Sequence, residues 1–272
     1  MTASLPSRSC RSMFEKRIVF SLPAMERIAP RANLIYKTSE DGPLLADLYL
    51  PPASSASSPI VIFIHGGVPQ GFSTSPKDWG VFVSWAQLMA ASQVAGVTFN
   101  HRMRWNNDFV AGSVEKAADD LADLIRYLRE NASELRIDAN RICLFAFSAG
   151  GPTLAAPMIE TNPSIRCLVG FYPFLGNTTP PDAKDAARYS AIGALTTRRG
   201  DVPPILLAKA QKDLPLINDS IDAFARRARE LGSRIQMVTH PEGVHGFDTL
   251  NDDDTSRAII RQAVEFIGAH LR

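Results

Sequence analysis

The stretch FAFSAGG, Phe145–Gly151, places a serine between an apolar run and small residues near the middle of the chain. The run that leads to it, Arg141–Ser148, is rich in apolar and aromatic side chains, which is typical of a strand covered on both faces. A helix is predicted from Ala149 onward, so Ser148 would lie in a sharp strand-to-helix turn. The stretch therefore raises the question of whether Ser148 is a nucleophile or only a turn residue.

Such a turn needs small residues two positions before and two positions after its serine, because the strand and the helix approach each other closely there. Ala146 and Gly150 occupy these positions, and Phe147 directly precedes the serine. The usual pattern G-x-S-x-G has glycine at both places, so Ala146 is a mild departure. We predict a nucleophile elbow formed by Ala146, Phe147, Ser148 and Gly150.

Strands and helices alternate along most of the chain. The predicted strands are Leu44–Pro51, Pro59–Gly67, Val94–Arg102, Arg141–Ser148, Cys167–Pro173, Pro204–Ala210 and Arg234–His240. Apolar residues recur at helical spacing in Trp79–Gln93, Ser113–Glu130, Ile217–Leu231 and Thr255–Leu271. This alternation predicts an α/β protein with one doubly wound, mostly parallel sheet. Neither a GxGxxG fingerprint nor a GxxxxGK[ST] phosphate loop is present, so nucleotide binding is not indicated.

Composition narrows the class of protein. The 272 residues are 45% hydrophobic and 21% charged, with a formal net charge of +1, which favours a globular protein without a nucleic-acid partner. No apolar run approaches the roughly 18 residues of a membrane-spanning helix. The three cysteines include no CxxC pair, and Cys143 and Cys167 lie in apolar runs. We therefore expect neither a metal nor a cofactor.

The chain divides into a leader and one domain. Residues 1–30 are rich in Arg and Ser, and we expect a disordered or loosely attached leader, or an over-extended gene start. Residues 31–272 form the predicted α/β domain, and the polar excursion at 176–202 would make a small lid. A cytoplasmic location is expected, without stable insertion in a membrane, and the sequence leaves a homodimer open.

Four predicted strands end in residues that can perform chemistry. His65-Gly66-Gly67 follows the first, Ser148 ends the second, and Asp213 and His245 follow two later ones. Ligands of open parallel sheets bind beyond the carboxyl ends of the strands, so these groups would meet at one edge. Each of these motifs is short, and only the combination of all four at strand ends indicates a site.

A serine hydroxyl needs a base before it can act as a nucleophile. His245 follows the last strand in a loop flanked by glycines, whereas His101 at the end of an earlier strand is the rival base. Asp213 is the predicted acceptor for the imidazole. Asp219 is its rival at the start of a helix, and Asp248 is expected to cap or turn the loop.

A tetrahedral intermediate also needs N–H donors for its oxyanion. The amide of Ala149 at the start of the predicted helix is one candidate. A second would come from Gly67 or Val68 in the HGG turn. Gly66 allows the close approach, and His65 is expected to brace this turn rather than to act as a base.

With these residues, the sequence resembles the α/β-hydrolase superfamily, in its serine esterase and dienelactone-hydrolase-like branch. The matching stretches lie within residues 34–272 and are IFIHGG, PKDWGVFVSWAQLMA, GVTFNHR, FAFSAGG, AKAQKD and HPEGVHGFD. The order Ser148, Asp213, His245 is the one expected on such a sheet. The resemblance implies this triad and hydrolysis of an ester-like bond without a cofactor. Two departures stand against narrower membership, because dienelactone hydrolases use cysteine where this chain has Ser148, and lipase-type HGGG reads HGGV here.

The leading hypothesis is a serine carboxylesterase that cleaves small esters through an acyl-enzyme. One alternative is a serine exopeptidase of the same fold, although the length leaves no room for the extra domain that such enzymes usually carry. The other is a non-catalytic, hydrolase-like binding protein, which the presence of all three triad candidates disfavours. Phe147, Phe171, Tyr172 and Trp105 are candidate pocket walls.

Overall fold

The structure is a computed structural model that describes residues 14–52, 57–69, 75–105, 111–160, 162–176 and 186–272. Within these ranges an eight-stranded sheet runs in the order β1-β2-β5-β3-β7-β8-β9-β10. Its strands are β1 Arg31–Ser39, β2 Gly42–Tyr49, β3 Ser58–Ile64, β5 Ala95–Phe99, β7 Ile137–Phe147, β8 Ile165–Phe171, β9 Ile205–Ala210 and β10 Ile235–His240. Two short strands, β4 Val68–Pro69 and β6 Arg104–Trp105, pair separately.

The sheet is parallel from β5 to β10 and antiparallel at one edge. β1 pairs with β2 and β2 with β5 in antiparallel register, whereas β5, β3, β7, β8, β9 and β10 pair in parallel. The predicted mostly parallel sheet is therefore confirmed. Because parallel strands end on the same side, the carboxyl ends of β3, β7, β9 and β10 share one edge.

The central strands are buried on both faces, which explains their continuous apolar runs. In β3, Ile60, Ile62 and Ile64 belong to one core cluster, while Val61 and Phe63 belong to the other. Cys143, Phe145 and Phe147 of β7 lie on the Phe63 face in the same way. Alternate residues of each strand thus supply two separate cores.

Helices cover both faces of the sheet. They are α1 Gly80–Ala91, α2 Ala111–Glu130, α3 Ala132–Leu135, α4 Ala155–Ile159, α5 Ala191–Thr197, α6 Pro215–Glu230, α7 Phe247–Leu250 and α8 Asp254–Leu271. The core on the Ile60 face includes residues of α2, α4, α5 and α6, and the core on the Phe63 face includes residues of α1 and α8. This is the doubly wound arrangement that the sequence predicts. Among the described residues, no helix is both long enough and apolar enough to cross a bilayer.

The amino-terminal segment 14–30 packs on α1, which differs from the expected loose leader. Ile18, Met25 and Ile28 are buried in the core on the Phe63 face. Gln87 of α1 donates to the carbonyl of Ile28 at 2.9 Å, and the Ile18 amide donates to Ser84 Oγ at 3.0 Å. The physical reason is the apolar content of the segment, since Val19, Phe20 and Leu22 pack against the same core beside the three buried side chains. Residues 1–13 lie outside the described residues.

The predicted lid, 176–202, falls only partly within the described residues, since 177–185 lie outside them. Its later part contains a short 3₁₀ helix, Ala186–Tyr189, and α5. Ala191, Ala194 and Leu195 are fully buried in the core on the Ile60 face. α5 therefore belongs to the core of the domain, and the lid at 176–202 stays a prediction.

Candidate active site

The strand-to-helix turn at Ser148 has the strained backbone that the elbow interpretation requires. Ser148 has φ of 51° in the left-handed region, directly after β7 and at the start of a 3₁₀ helix, Ser148–Leu154. A residue other than glycine keeps a left-handed conformation only where contacts with the surrounding structure impose it. The Phe174 amide donates to the Ser148 carbonyl at 2.8 Å and so braces the turn.

The small residues of the elbow are required by close contacts. A Cβ atom on Gly150 would lie 2.6 Å from the His65 carbonyl oxygen and 2.9 Å from that of Ile64. Ala146 is fully buried in β7 and its methyl group is accommodated. The departure from glycine at that position therefore leaves the turn intact.

The loop that carries His245 is held by bonds to the neighbouring β9 loop. Residues 241–246, which we call the histidine loop, follow β10 and end at Gly246, whose φ is 82°. The Lys212 amide donates to the Gly243 carbonyl at 2.9 Å, and the Val244 amide donates to Asn251 Oδ1 at 3.2 Å. These bonds fix the two residues that directly precede His245.

His245 bridges Ser148 and Asp213. Its Nδ1 lies 2.7 Å from Asp213 Oδ2, and its Nε2 lies 2.9 Å from Ser148 Oγ. Because an ionised carboxylate only accepts, Nδ1 carries the proton and Nε2 is free to accept from the serine hydroxyl. The Asp213 side chain has no exposed area, whereas that of His245 is 42% exposed. The structure thus brings together the three residues predicted as a triad.

The carboxylate of Asp213 is oriented by its own backbone neighbourhood. Its Oδ1 accepts the Leu214 amide at 2.7 Å, which leaves Oδ2 for the imidazole. The rival Asp219 lies on α6 and is exposed, and nothing in the structure joins it to His245.

The HGG turn lies against the nucleophile. A Cβ atom on Gly66 would lie 3.0 Å from Ser148 Cβ and 3.3 Å from its Oγ, so any larger residue would require the nucleophile to shift by a few tenths of an ångström. Val68 is a less suitable oxyanion donor than predicted, because its amide donates to the Met103 carbonyl at 3.5 Å in the β4–β6 pair. Gly67 is left as the candidate on this side, and Ala149 at the start of the 3₁₀ helix is the candidate on the other.

His65 and His101 form a buried stacked pair behind the HGG turn. Their ring centroids are 3.5 Å apart with an interplanar angle of 6°. His65 Nδ1 donates to the Gly66 carbonyl at 2.6 Å, and its Nε2 accepts the His101 amide at 3.4 Å. Burial lowers the pKa of His65 to about 4 and that of His101 well below its usual value, so both rings are neutral. The bond from His65 to Gly66 is compatible with the predicted bracing role, and His101 is buried away from the base position.

Asp248 has a role that the sequence did not suggest. It lies in the first turn of α7, but its side chain is fully buried instead of capping the loop. Trp85 Nε1 donates to Oδ2 at 2.8 Å, and the Tyr172 hydroxyl donates to Oδ1 at 2.7 Å. The Tyr172 ring in turn lies 4.7 Å from that of His245. The local signal was an acidic residue three positions after the candidate base, inside an apolar stretch.

The predicted pocket walls separate into two groups. Phe147 and Phe171 are buried in an aromatic cluster with Trp85 and Phe145, so they are core residues. Tyr172 does lie beside the imidazole. The side chain of Trp105 falls outside the described residues. Among the side chains that are described, no group of three His, Cys, Asp or Glu residues is placed to hold a metal ion.

Comparison with known proteins supports the architecture and the class. The BD-FAE family model matches residues 46–164, a span that contains the HGG turn and Ser148 and is less than half of the chain. The chain is 25% identical over 233 residues to carboxylesterase NlhH of Mycobacterium tuberculosis, covering 74% of this chain and 70% of that protein. It is 24% identical to ethyl acetate hydrolase of Pseudomonas putida, covering 86% of this chain and 81% of that protein.

Solved structures agree on the fold. Esterase 2 of Thermogutta terrifontis phosphorylated by paraoxon superimposes with a TM-score of 0.70 at 21% identity, over 88% of this chain and 94% of that one. The butyrate-bound form of the same enzyme gives 0.68 at 21% identity, over 91% and 95%. The chain therefore has the α/β-hydrolase fold, and its resemblance to esterases of that fold is confirmed. Nothing in these matches singles out the dienelactone-hydrolase-like branch.

Proposed function

We propose that this protein is a serine carboxylesterase that hydrolyses small carboxylic esters through an acyl-enzyme on Ser148. The observation that carries the proposal is the continuous hydrogen-bonded chain from Ser148 Oγ through the His245 ring to Asp213. The relatives named as a carboxylesterase and as an ethyl acetate hydrolase support an ester bond as the target.

In the first half of the reaction Ser148 Oγ attacks the ester carbonyl carbon as its proton passes to His245 Nε2. Asp213 accepts the Nδ1 proton throughout, which holds the ring orientation and stabilises the imidazolium. The carbonyl oxygen becomes an oxyanion that accepts hydrogen bonds from the amides of Ala149 and Gly67. When the carbon–oxygen bond breaks, the alkoxide leaves with the proton from Nε2 as the free alcohol.

The second half repeats these steps with water. His245 Nε2 takes a proton from a water molecule, whose oxygen attacks the acyl carbon. The bond to Ser148 Oγ then breaks, the proton returns to the serine, and the carboxylic acid leaves. The 42% exposure of the His245 side chain leaves the ring accessible to the water that this half requires.

The test is Ser148→Ala, assayed with p-nitrophenyl esters of increasing acyl length and with a fluorophosphonate probe. Ser92, beyond α1 and before the amino end of β5, supplies a control as Ser92→Ala. We expect turnover and labelling to disappear in the first variant and to persist in the second. Undiminished turnover by Ser148→Ala would remove this serine from the mechanism, and a wild type that neither turns over esters nor labels would favour a non-catalytic binding protein.

A further inference from the structure

Asp248 carries a buried carboxylate that no Lys or Arg side chain of the described ranges pairs with. Its exposed fraction is 0%. Its two oxygens accept one hydrogen bond each, from Trp85 Nε1 and from the Tyr172 hydroxyl. Burying a charge is costly unless it is compensated, so a carboxylate in this position calls for an explanation.

Tyr172 connects this carboxylate with the imidazole of His245. The two rings are 4.7 Å apart at an angle of 56°. Tyr172 has φ of 39°, a backbone conformation that residues other than glycine rarely adopt. Its amide donates to the Ala208 carbonyl at 2.7 Å. Such a conformation persists where the surroundings impose it, and strained residues of this kind cluster at functional sites.

We propose that Asp248 is a positioning residue for His245, which acts through the Tyr172 hydroxyl and through its own negative charge. The inference rests on the proposed function, since it concerns the imidazolium that forms when Ser148 gives its proton to Nε2. Asp248 holds the Tyr172 ring against one side of the imidazole, while Asp213 holds its Nδ1. The imidazolium is then attracted by two carboxylates instead of one.

The electrostatics of the cluster agree with this assignment. Burial is the largest influence and raises the pKa of Asp248 above its usual value, while the Trp85 and Tyr172 donors lower it and the charge of His245 lowers it least. Because that coupling is reciprocal, a charged Asp248 stabilises a charged His245 by the same free energy. Burial and the Asp248 charge raise the pKa of Tyr172 well above its usual value, so its hydroxyl remains a donor.

Other charged or titratable groups near His245 must be counted before a pH effect is assigned to Asp248. Asp213 contacts Nδ1 directly, and Ser148 contacts Nε2. The Lys212–Glu242 ion pair joins the β9 loop to the histidine loop. His240 and its partner Asp253 lie beyond Phe247. Apart from Asp253, which the control variant replaces, these groups are common to wild type and the variants compared below, so a difference between variants reports the substituted residue.

The experiment compares Asp248→Asn with wild type. The amide has the shape of the carboxylate and keeps a polar partner for Trp85 and Tyr172, but it has no charge. Two readouts are used: kcat and KM for p-nitrophenyl acetate, and the titration midpoint of the His245 ring followed by NMR. Asp253→Asn is the matched control, because it removes an acid nearby in the chain and asparagine still caps α8.

We expect the titration midpoint of the His245 ring to be lower in Asp248→Asn than in wild type, since the charged ring loses an attractive carboxylate. We also expect kcat to fall by roughly three- to tenfold, because a less stable imidazolium raises the barrier to acylation, with KM changed less than about twofold. Asp253→Asn should keep the wild-type midpoint. An unchanged midpoint in Asp248→Asn, with kcat lower only in proportion to the folded fraction, would overturn the inference.

A second variant covers the case in which Asp248→Asn does not fold. Tyr172→Phe keeps the ring and removes the hydroxyl that joins it to Asp248. We expect a lower kcat with little change in KM, and a wild-type kcat would contradict the positioning role. The NMR titration reads His245 without any substrate, so it tests the inference even if ester hydrolysis is not found, whereas Ser148→Ala tests the proposed function.

Discussion

Nε2 of His245 lies 2.9 Å from Oγ of Ser148, although the two residues are separated by 97 positions in the chain. Each follows a parallel strand of the same sheet, β10 for the histidine and β7 for the serine. The contact therefore depends on the order of the strands and on the two loops that follow them.

The first prediction concerns the carboxylate partner of the imidazole. Asp213→Asn should lower kcat by roughly 10³- to 10⁴-fold, because an amide in place of the carboxylate favours the wrong tautomer of His245 and no longer stabilises the imidazolium. The folded state should be retained, since the amide has the same shape. The measurement is kcat for a p-nitrophenyl ester alongside a thermal melt.

Asp219→Asn is the control for this prediction, because Asp219 is exposed on α6 and was the rival acceptor in the sequence. Its kcat should equal that of wild type. Equal losses in the two variants would contradict the role of Asp213.

The second prediction concerns the close packing of the elbow. Gly150→Ala would place Cβ 2.6 Å from the His65 carbonyl oxygen, which belongs to backbone and cannot rotate away. We expect a loss of about 3 kcal/mol or more in the free energy of unfolding, or no folded protein. Urea denaturation measures this loss.

Gly268→Ala on α8 is the matched glycine substitution, since its Cβ would meet nothing within 4 Å. We expect it to stabilise the protein by about 0.5 to 1 kcal/mol, because alanine is the better helix former. If both variants lost the same stability, close approach at Gly150 would not be the cause.

The third prediction concerns the buried histidine pair and pH. Burial lowers the pKa of His65 from 6.5 to about 4, so the unfolded chain binds a proton at a pH where the folded chain does not. Stability contributed by this group is present above pH 6.5 and is lost as the pH falls from about 6.5 towards 4. By this linkage, His65 accounts for about 2 kcal/mol of destabilisation between pH 7 and pH 5.

Urea denaturation of wild type and of His65→Gln at pH 7 and pH 5 measures this contribution. The variant should lose about 2 kcal/mol less than wild type over the same interval. Parallel losses would mean that His65 titrates alike in both states and is not excluded from water in the folded protein.

The fourth prediction concerns an apolar rim around the site. Leu214 next to Asp213 is 60% exposed, and Val244 next to His245 is 37% exposed. We expect these side chains to contact the apolar part of an ester, so Leu214→Ser and Val244→Ser should each raise KM for longer acyl chains by about fivefold, corresponding to roughly 1 kcal/mol of lost contact. Turnover of the acetate ester should change little.

Ile35→Ser is the control for the rim, because Ile35 is 57% exposed on the edge strand β1. It should leave KM unchanged for every chain length. If all three variants showed the same KM profile, the effect would come from making any exposed apolar side chain polar and not from contact with the ester.

The sequence predicted those parts of the molecule that repeat along the chain. Continuous apolar runs indicated strands such as β3 and β7, and the alternation with helices indicated the parallel sheet. Because Ser148, Asp213 and His245 each follow a predicted strand, the sequence also predicted that they meet at one edge of the sheet. These are local patterns read one strand at a time, and the fold places their ends at one edge.

What the sequence did not predict depends on contacts between distant segments. The edge strand β1 pairs with β2 in antiparallel register, and its exposed, irregular pattern gave no strand signal. The His65–His101 stack joins the ends of two strands, and the Asp248 bonds reach α1 and the end of β8. Apolar periodicity contains no information about such polar partners.

The amino-terminal segment has a consequence for shortened versions of the chain. The Val19 amide donates to the backbone carbonyl of Asp248 at 2.8 Å, so this segment is hydrogen-bonded to the helix that follows the histidine loop. Trimming the chain to begin at Met25 would leave that carbonyl without its donor and uncover part of α1. A truncation more than a hundred residues upstream of Ser148 would therefore lower kcat as well as the yield of folded protein.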